Sequence, residues 1–345
     1  MTRHAYLDRS PGELRGVITL DGLPERLFIE RLGDARHAEL SARHVARIAR
    51  LEADRGAAFL DLGAEGEARL SLGAGAKGLA EGGWIEVEIT AEARRGKLAQ
   101  ARWIGPAEGP ARRTDARPGL AEQLAALSGG GLVLEGAKAR HAADLAEEAV
   151  LAVEHALPGG GSIAIEPTRA LIAIDVDVGE RRGGRAQAAK GANLAAIAAA
   201  ARLLRLKALG GLVVLDLVGE GGDGRRFAEA AQTAFAADGP GVVVGPLSRL
   251  GLLQLAVPHH RRPLAESLCD ETGAIRVSTW AQRLLRALEH EAETDRGAAW
   301  AGLCAPAVAE AAAPGVAVLA ARVGARVSLR AEPARAPHDF EVIRP

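Results

Sequence analysis

Cysteine and aromatic residues are scarce in this sequence. Its 345 residues include two cysteines, Cys269 and Cys304, and phenylalanine, tryptophan and tyrosine together make up 3% of the chain. Two cysteines cannot form a disulfide framework or a zinc site that needs several thiolates, so we expect both to be structural. With so few aromatic rings, any binding of nucleic-acid bases by stacking must depend on very few residues.

Long apolar runs and a strong charge of one sign are also missing. The first ten residues, MTRHAYLDRS, contain no apolar signal segment, so we expect a cytoplasmic protein. The most apolar window, 302–321, carries Glu310 and two prolines, and we therefore expect no membrane span. The net charge of −1, from 43 basic and 44 acidic residues, gives no overall preference for a polyanion.

The length of the chain is sufficient for about two to three domains. The runs LRGVITL and ERLFIERL, on either side of the turn signal Asp21-Gly22, predict two N-terminal strands. Between 37 and 105, short alternating runs with glycine-bearing turns favour a small antiparallel barrel of the OB kind. A small β-sandwich fits the same pattern, and the pattern alone does not separate the two.

Helices and strands alternate beyond the segment 105–119, whose proline, glycine and arginine content is typical of a linker. After an alanine-rich helical stretch and the break PGGGS, buried-type strands are predicted at 170–177 and 212–218. Between them a helix is predicted at 187–209, which Gly210-Gly211 would end. This alternation predicts a βαβ unit, a parallel sheet and, from residue 278, a second small α/β domain. The fold class is therefore expected to be α/β within a multi-domain chain.

Acidic residues lie late in both predicted buried strands. Asp175 and Asp177 are two residues apart, so they project from one face near the carboxyl end of the first strand, and Asp216 occupies the equivalent end of the second. Ligands of open α/β sheets bind outside those ends, and carboxylates gathered there can hold Mg²⁺ beside a phosphate. The alternative is that one or more of these aspartates only cap strands or helices.

The connection between the two strands is basic. Between 181 and 207 there is no aspartate or glutamate, and the basic residues are Arg181, Arg182, Arg185, Lys190, Arg202, Arg205 and Lys207. A basic segment beside an acidic centre suits a polyanion whose phosphate is cut or transferred at a metal. A solvated helix face is the alternative interpretation.

Two further motifs are weaker. Gly219, Gly221 and Gly224 form a G-x-G-x-x-G pattern after a strand, but the acidic residue that a dinucleotide site needs is not clearly placed, which favours a flexible loop near the metal. His259 and His260 in PHHRRP are adjacent and point in different directions, so a surface loop that contacts phosphate is the favoured interpretation over a metal site or a catalytic base.

The segments LPGGGSIAIEPTRALIAIDVDVGERRGG, GANLAAIAAAARLLRLKALGGLVVLDLV and GPLSRLGLLQL, in this order over 157–255, resemble the catalytic core of the ribonuclease E/G family. The resemblance implies a DNase I-like catalytic domain and Mg²⁺-dependent endonucleolytic cleavage of single-stranded RNA, in RNA processing or decay. Mn²⁺ is a further candidate ion.

The resemblance also assigns residues. Asp175 and Asp216 take the positions of the family's catalytic, metal-holding aspartates, and Asp177 stands where the family usually has asparagine. Asn193 and Arg249 fall on the family's N-L-E-A-A and S-R-x-G positions, and we expect both to bind RNA, although Ala195 replaces the glutamate of the first motif. In the OB-like block Phe59 and Lys97 stand where the family grips RNA, whereas Arg69 replaces a second aromatic. A core role for Phe59 is an equal alternative.

The departures from the family predict specific losses. Cys269 stands alone where the family carries its zinc link, so we expect no zinc, and a homodimer could form only without zinc linkage. The segment with the family's pocket for a 5′-monophosphate is largely missing between 105 and 158. The resemblance then divides the chain into N-terminal strands left from an RNase H-like domain (1–36), an OB-fold RNA-binding domain (37–105), a linker and helix (106–162), the catalytic domain (163–268) and a small C-terminal domain (269–345).

Two main functions are therefore predicted, besides the less favoured alternative of a nucleotide-dependent enzyme that uses the glycine-rich loop 219–224. The first is a magnesium-dependent endoribonuclease in which Asp175 and Asp216, with Asp177, hold the metal while Arg181, Arg182, Arg185 and Arg249 position the RNA backbone. The second is a catalytically impaired RNA-binding protein of the same family. The retained aspartates favour the enzyme, and the replaced asparagine and glutamate favour the binding protein.

Overall fold

A computed structural model gives the structure of residues 2–34, 37–72, 78–182, 184–219 and 223–345. The strands, in chain order, are β1 (Arg3–Ser10), β2 (Glu13–Leu20), β3 (Leu23–Arg31), β4 (Arg43–Glu52), β5 (Ala57–Asp61), β6 (Glu67–Ser71), β7 (Trp84–Ala91), β8 (Ala99–Pro106), β9 (Arg112–Arg113), β10 (Val133–Leu134), β11 (Glu154–Ala156), β12 (Ser162–Pro167), β13 (Ile172–Asp177), β14 (Gly211–Asp216), β15 (Val243–Val244), β16 (Leu252–Val257), β17 (Trp300–Cys304), β18 (Val327–Ala331) and β19 (Glu341–Ile343). The α-helices are α1 (Leu120–Leu127), α2 (Ala137–Leu151), α3 (Arg185–Lys207), α4 (Gly224–Phe235), α5 (Leu264–Leu268), α6 (Val277–Thr294) and α7 (Pro306–Val323). The protein is thus a mixed α/β protein.

The N-terminal strands form a sheet of order β10-β1-β2-β3, with helix α1 packed on it. The predicted turn between β2 and β3 is confirmed: Asp21 (φ 50°) and Gly22 (φ 84°) both adopt the left-handed conformation, which matches the twist of a two-residue hairpin. Strand β1 and helix α1 were not among the predicted elements.

A closed barrel of five strands follows. The strands pair in the ring β4-β5-β6-β8-β7 and back to β4, and the β6–β8 pairing is parallel. Alternation of exposed and buried residues along β7 sends Ile85, Val87 and Ile89 into the barrel core, as the period of two requires. Its five strands match the five predicted runs. Part of the expected linker also belongs to this sheet, because β9 adds to β4.

The central sheet has the order β11-β12-β13-β14-β16-β15. The predicted βαβ unit is confirmed, since β13 and β14 are parallel and α3 connects them. The expectation of a parallel sheet is otherwise wrong: β12 pairs with β13, and β14 with β16, in antiparallel fashion. The predicted glycine cap of α3 is also wrong, because the helix ends at Lys207 and Ala208 (φ 54°) forms the left-handed cap.

One face of the central sheet is packed and the other is open. Ile174, Leu215 and Leu253 lie in the core with α3, whereas the intervening residues face outward. Apolar side chains are among those on the open side, since Leu212 is 61% and Val243 63% exposed. The apolar sequences of these strands suggested burial on both faces, but only one face is buried.

The C-terminal part forms a three-stranded sheet of order β18-β17-β19 with α6 and α7 packed together. A Cβ atom at Gly315 would collide with Leu285, so glycine allows these two helices to approach closely. Helix α7 is long and apolar enough to cross a membrane by length and composition, with 22% of that window buried inside the structure. It is the one such helix in the described ranges.

Buried charges connect the N-terminal sheet, α2 and α6. Arg15, whose side chain is 0% exposed, contacts Asp8 at 2.6 Å and Glu147 at 3.3 Å. Glu147 also contacts Arg283 at 2.8 Å and Arg286 at 3.0 Å. Because an isolated buried charge is costly, each group is needed to offset the desolvation of its neighbours.

Acid is expected to destabilise the fold through His155 on β11. Burial, assisted by Lys207 and Arg202, lowers the pKa of His155 from 6.5 to about 4. Since the unfolded chain binds the proton more readily, this stabilisation is complete above pH 6.5 and is lost as pH falls toward 4. We expect the melting temperature of His155→Gln to fall less than that of the wild type between pH 7 and pH 4.5, as measured by circular dichroism. Replacement of the exposed His141 by Gln is the control, and equal slopes for wild type and His155→Gln would contradict the assignment.

Candidate functional site

Asp175 and Asp216 lie side by side on the central sheet. They are register partners on the parallel strands β13 and β14, where neighbouring strands are about 4.8 Å apart. The residues before them, Ile174 and Leu215, point into the core, so both aspartates project from the open face. The structure therefore brings together two exposed carboxylates at the carboxyl ends of adjacent strands, where the sequence predicts them.

Asp177 lies on the same face as Asp175, as predicted, and also holds a turn. One of its carboxylate oxygens accepts a hydrogen bond from the backbone N–H of Gly179 at 2.9 Å and so holds the turn after β13. In the part of the chain that the structure describes, no three histidine, cysteine, aspartate or glutamate side chains form a group that could hold a metal. One oxygen of the third carboxylate thus caps a turn, and the ligand role of Asp177 stays a prediction.

Asn193 fixes the end of β14 from beneath. Its side-chain amide donates to the carbonyl oxygen of Val218 at 2.9 Å and its amide oxygen accepts the N–H of Val218 at 3.0 Å. Asn193 is 1% exposed, so its amide is buried and bonded to the backbone two residues beyond Asp216. This geometry favours a positioning role over the predicted contact with RNA.

A tight turn carries Arg249 beside the aspartate pair. The hydroxyl of Ser248 accepts hydrogen bonds from the N–H groups of Leu250 and Leu252, at 3.3 and 3.1 Å. Leu252 is the register partner of Asp216, and the carbonyl of Gly251 accepts the N–H of Leu217. The exposed Arg249 is therefore held at the same end of the sheet as the two carboxylates.

The basic segment 181–207 does not form one surface. Helix α3 rises about 1.5 Å per residue, so Arg185 and Arg205 are on the order of 30 Å apart. The distal side chains are engaged internally: Arg202 with the Pro24 carbonyl (2.6 Å), Arg205 with Glu25 (3.0 Å) and Asp238 (2.6 Å), and Lys207 with the carbonyls of Ala149, Val150 and Ala152 (2.6–2.9 Å). Burial lowers the pKa of Lys207 to about 8.

At the beginning of this segment, some of the predicted basic side chains are also engaged with other residues of the protein, whereas others are exposed to solvent. Arg181 donates to the carbonyl oxygens of Pro158 and Gly160, at 2.7 and 2.8 Å, and so holds the turn before β12. Lys190 forms an ion pair with Asp223 at 2.9 Å. Arg182 and Arg185 are exposed where α3 begins, after the connection from β13. Of the predicted backbone-binding arginines, Arg182, Arg185 and Arg249 are thus presented to solvent.

The barrel contributes a separate cavity of about 570 Å³. Phe59 and Lys97 line it together with Arg69, Arg94 and His259. Phe59 is half-buried, and the guanidinium of Arg50 lies 4.1 Å from its ring centroid. Burial, with Arg94 and Lys97 nearby, lowers the pKa of His259 to about 4. The predicted residues Phe59 and Lys97 are therefore neighbours, and Phe59 is not a fully buried core residue.

This barrel cavity and the aspartate pair are not adjacent. His259 follows Val257, which pairs with Gly211 at the beginning of β14, whereas Asp216 pairs with Leu252. Five residues of strand separate these two positions along β16, which corresponds to about 17 Å. A linear ligand that reaches both sites would have to extend along the sheet.

Some residues of this region were missed or lie elsewhere. Arg94 was not predicted to line the barrel cavity, although the sequence ARRGK, a basic turn between two predicted strands, could have indicated it. Gly221 of the glycine-rich pattern lies outside the described residues. Cys269 and Cys304 are both free and buried, and burial raises the pKa of each thiol.

Comparison with known proteins gives a consistent family relation. Residues 127–258 match the Ribonuclease E/G family. Ribonuclease E of Buchnera aphidicola subsp. Acyrthosiphon pisum is 35% identical over 147 residues, which cover 39% of this chain and 16% of that protein. Ribonuclease E of Escherichia coli K12 is 34% identical over 147 residues, covering 39% of this chain and 14% of that protein. Ribonuclease G of Escherichia coli K12 is 28% identical over 205 residues, covering 54% of this chain and 41% of that protein. The match spans less than half of each relative, and the predicted resemblance is confirmed.

Proposed function

Because residues 127–258 carry the sequence of the Ribonuclease E/G family, we propose that this chain is an endoribonuclease that cleaves single-stranded RNA in RNA processing or decay. The observation that carries the proposal is the in-register pair Asp175–Asp216 on the open face of the central sheet. Two adjacent carboxylates at the carboxyl ends of parallel strands are a common basis for phosphoryl chemistry. We further propose that this sheet and its α3 crossover form a DNase I-like catalytic domain.

The aspartate pair fits a hard divalent cation. Mg²⁺ is commonly held by one or two carboxylates together with water and substrate phosphate, so a third protein carboxylate is not required. Asp175 and Asp216 would hold Mg²⁺ or Mn²⁺, with Asp177 two residues away on the same face. When bound, the ion supplies electrostatic stabilisation of the charge that develops on the phosphodiester.

The chain's own residues would orient the RNA. The open face leaves the carboxylates accessible to an extended strand, which a covered sheet would exclude. Arg249, held by its Ser248 turn, would contact backbone phosphate beside Asp216, and Arg182 and Arg185 would do so where α3 begins. Asn193 would fix the end of β14 and thereby the position of Asp216. We assign it to positioning rather than catalysis.

The barrel would hold the RNA that flanks the cleavage position. Its ring order, with a parallel pairing between the third and fifth strands, supports a barrel of the OB kind. The exposed part of the Phe59 ring, one face of which carries the Arg50 guanidinium, would contact a base, and Lys97, Arg69 and Arg94 line the same cavity with positive charge. Single-stranded nucleic acid is bound in this way in other proteins, by stacking within a basic groove.

Phe59→Ala is expected to weaken binding of single-stranded RNA on the order of tenfold, because a stacked base contributes about 1–3 kcal/mol. Lys97→Gln is expected to reduce the slope of log affinity against log salt by about 0.7, the contribution of one phosphate contact. Fluorescence anisotropy at several salt concentrations measures both effects. Arg55→Gln, on an exposed barrel arginine outside the cavity, is the control. Wild-type affinity in Phe59→Ala would contradict the assignment.

Circular single-stranded RNA tests the proposed activity, because only an endonuclease can open a circle. We expect the purified chain with Mg²⁺ to convert labelled circular RNA into linear fragments and to leave a fully base-paired duplex intact. Circular RNA that remains closed, under conditions in which the protein binds it, would contradict endonucleolytic function.

That outcome would favour the second candidate, a catalytically impaired RNA-binding protein. One observation supports it: Asp177 and Ala195 replace the family's asparagine and glutamate. The added negative charge of Asp177 beside Asp175 would oppose the approach of phosphate.

A further inference from the structure

A second cavity, of about 230 Å³, lies between the N-terminal sheet, the distal half of α3 and the loop after β16. It is distinct from the aspartate pair and from the barrel cavity. Its polar lining consists of Arg26, Arg205, Asp238, His260 and Arg261. A single phosphate group fits within this volume.

Two of its arginines lack a direct ionic partner among the described residues. Arg205 is neutralised, because it contacts Asp238 at 2.6 Å and Glu25 at 3.0 Å. Within the described ranges, the guanidiniums of Arg26 and Arg261 have neither a hydrogen bond nor an ion pair with another residue. Burial lowers the pKa of both groups. For Arg26, Glu25 opposes this effect while Arg205 and Arg261 add to it, and for Arg261 the more distant Glu92 and Glu39 oppose it. Two half-buried cations near one another are unfavourable unless an anion accompanies them.

The loop that carries Arg261 is fixed before any ligand binds. The carbonyl of His260 accepts the N–H of Glu92 at 2.8 Å, and the carboxylate of Glu92 accepts the N–H of Arg262 at 2.9 Å. The Arg262 side chain also donates to the Ala93 carbonyl at 3.0 Å. These bonds attach the loop to the barrel, so the arginine pair is held at little additional entropic cost on binding.

Arg261 is oriented by an aromatic ring. Its guanidinium lies 4.5 Å from the ring centroid of Phe28. Stacking on a ring fixes the guanidinium and leaves its N–H donors free for an anion, and the planar fork matches two oxygens of a phosphate. Arg26 supplies the second charge from β3.

We propose that Arg26 and Arg261 form a phosphate-binding pocket. The same loop places His259 in the barrel cavity and His260 and Arg261 in this one, so a phosphate of an RNA strand held near Phe59 is the favoured ligand. This assignment of the strand rests on the proposed function. The pocket itself does not, since it requires only a phosphate anion.

Inorganic phosphate is the first probe, titrated calorimetrically into the full chain. We expect saturable binding, weakened at least tenfold in both Arg26→Gln and Arg261→Gln. Arg330→Gln, an arginine 71% exposed on β18, is the matched control and should bind as the wild type does. Arg261 also packs on Phe28, so Arg261→Gln could lose phosphate binding because it unfolds. Circular dichroism detects such unfolding, and Arg26→Gln tests the pocket without removing that packing. The pocket would be overturned if the wild type shows no saturable phosphate binding. It would also be overturned if the double variant Arg26→Gln/Arg261→Gln binds phosphate with wild-type affinity.

A 12-nucleotide single-stranded RNA, with either a 5′-phosphate or a 5′-hydroxyl, identifies the source of the phosphate. The assay uses Asp175→Asn/Asp216→Asn, which should keep the phosphate pocket and prevent cleavage. If the protein prefers the RNA with a 5′-phosphate and Arg26→Gln removes this preference, the pocket binds a terminal phosphate. If Arg26→Gln weakens the binding of both RNAs equally, the pocket binds an internal phosphate. RNA affinity unchanged by Arg26→Gln would overturn the RNA ligand. Phosphate binding by a chain that cuts no RNA would remove the proposed activity and leave the pocket.

Discussion

Asp216→Asn is expected to lower the rate of RNA cleavage by at least about a hundredfold while leaving RNA affinity nearly unchanged. Asparagine keeps the size of the side chain and removes the charge that would hold the cation. Asp216 is exposed and its neighbour Leu215 fills the core, so the substitution should not disturb packing. Asp175→Asn should have a similar effect, and the double variant little more, because both residues act at one centre. Single-turnover cleavage of labelled RNA measures the rate, and anisotropy measures binding.

Glu166 provides the matched control for this prediction. It lies on β12, is exposed on the same open face and pairs with Ala173, two residues before Asp175. Glu166→Gln removes a carboxylate from the same surface at a distance of about 7 Å along the strand. It should cleave at the wild-type rate. Equal loss in Glu166→Gln and Asp216→Asn would indicate a general effect of surface charge.

Glu147→Ala is expected to lower the free energy of unfolding by about 3–5 kcal/mol, the usual cost of removing one partner from a buried ion network. Its side chain is 3% exposed and contacts Arg15, Arg283 and Arg286. Removal would leave these guanidiniums short of a counter-charge at the junction of the N-terminal sheet, α2 and α6. Urea denaturation measures the change.

The control for Glu147 is Glu229, whose side chain is 58% exposed in an i,i+4 pair with Arg225. Glu229→Ala should cost no more than about 0.5 kcal/mol, as surface pairs do. A loss below about 1 kcal/mol in Glu147→Ala would show that the network does not stabilise the fold. Burial opposes the shift, but Arg286 and Arg283 lower the pKa of Glu147, so this stabilisation is present above the ordinary glutamate pKa and is lost as the pH falls through the lowered pKa of the folded state.

Local patterns in the sequence were sufficient for much of the fold. The five barrel strands alternate with period two, and the Asp21-Gly22 turn and the β13–α3–β14 unit have clear local signals. The positions of Asp175 and Asp216 could be predicted for the same reason. Parallel strands joined by a helix bring their carboxyl ends together, whatever the rest of the sheet does.

What could not be predicted depends on contacts distant in sequence. Apolar strands such as LVVLDLV suggest burial on both faces, but the open face appears only once the antiparallel neighbours β12 and β16 are placed. The divided role of the basic segment has the same cause, since the ionic partner of Arg205 is Glu25 on the N-terminal sheet, far from it in the sequence. Arg26 and Arg261 are separated by more than two hundred residues, so their shared cavity has no local sequence signal.

The central claim is that Asp175 and Asp216 form a metal-dependent centre for RNA cleavage. Its most direct test is the single-turnover cleavage rate of single-stranded RNA as a function of Mg²⁺ concentration, for the wild type and for Asp175→Asn and Asp216→Asn. We predict no cleavage in EDTA, a saturating rise with Mg²⁺ for the wild type, and rates at least about a hundredfold lower for both variants at every concentration. Cleavage that persists in EDTA, or variants that follow the wild-type curve, would contradict the assignment.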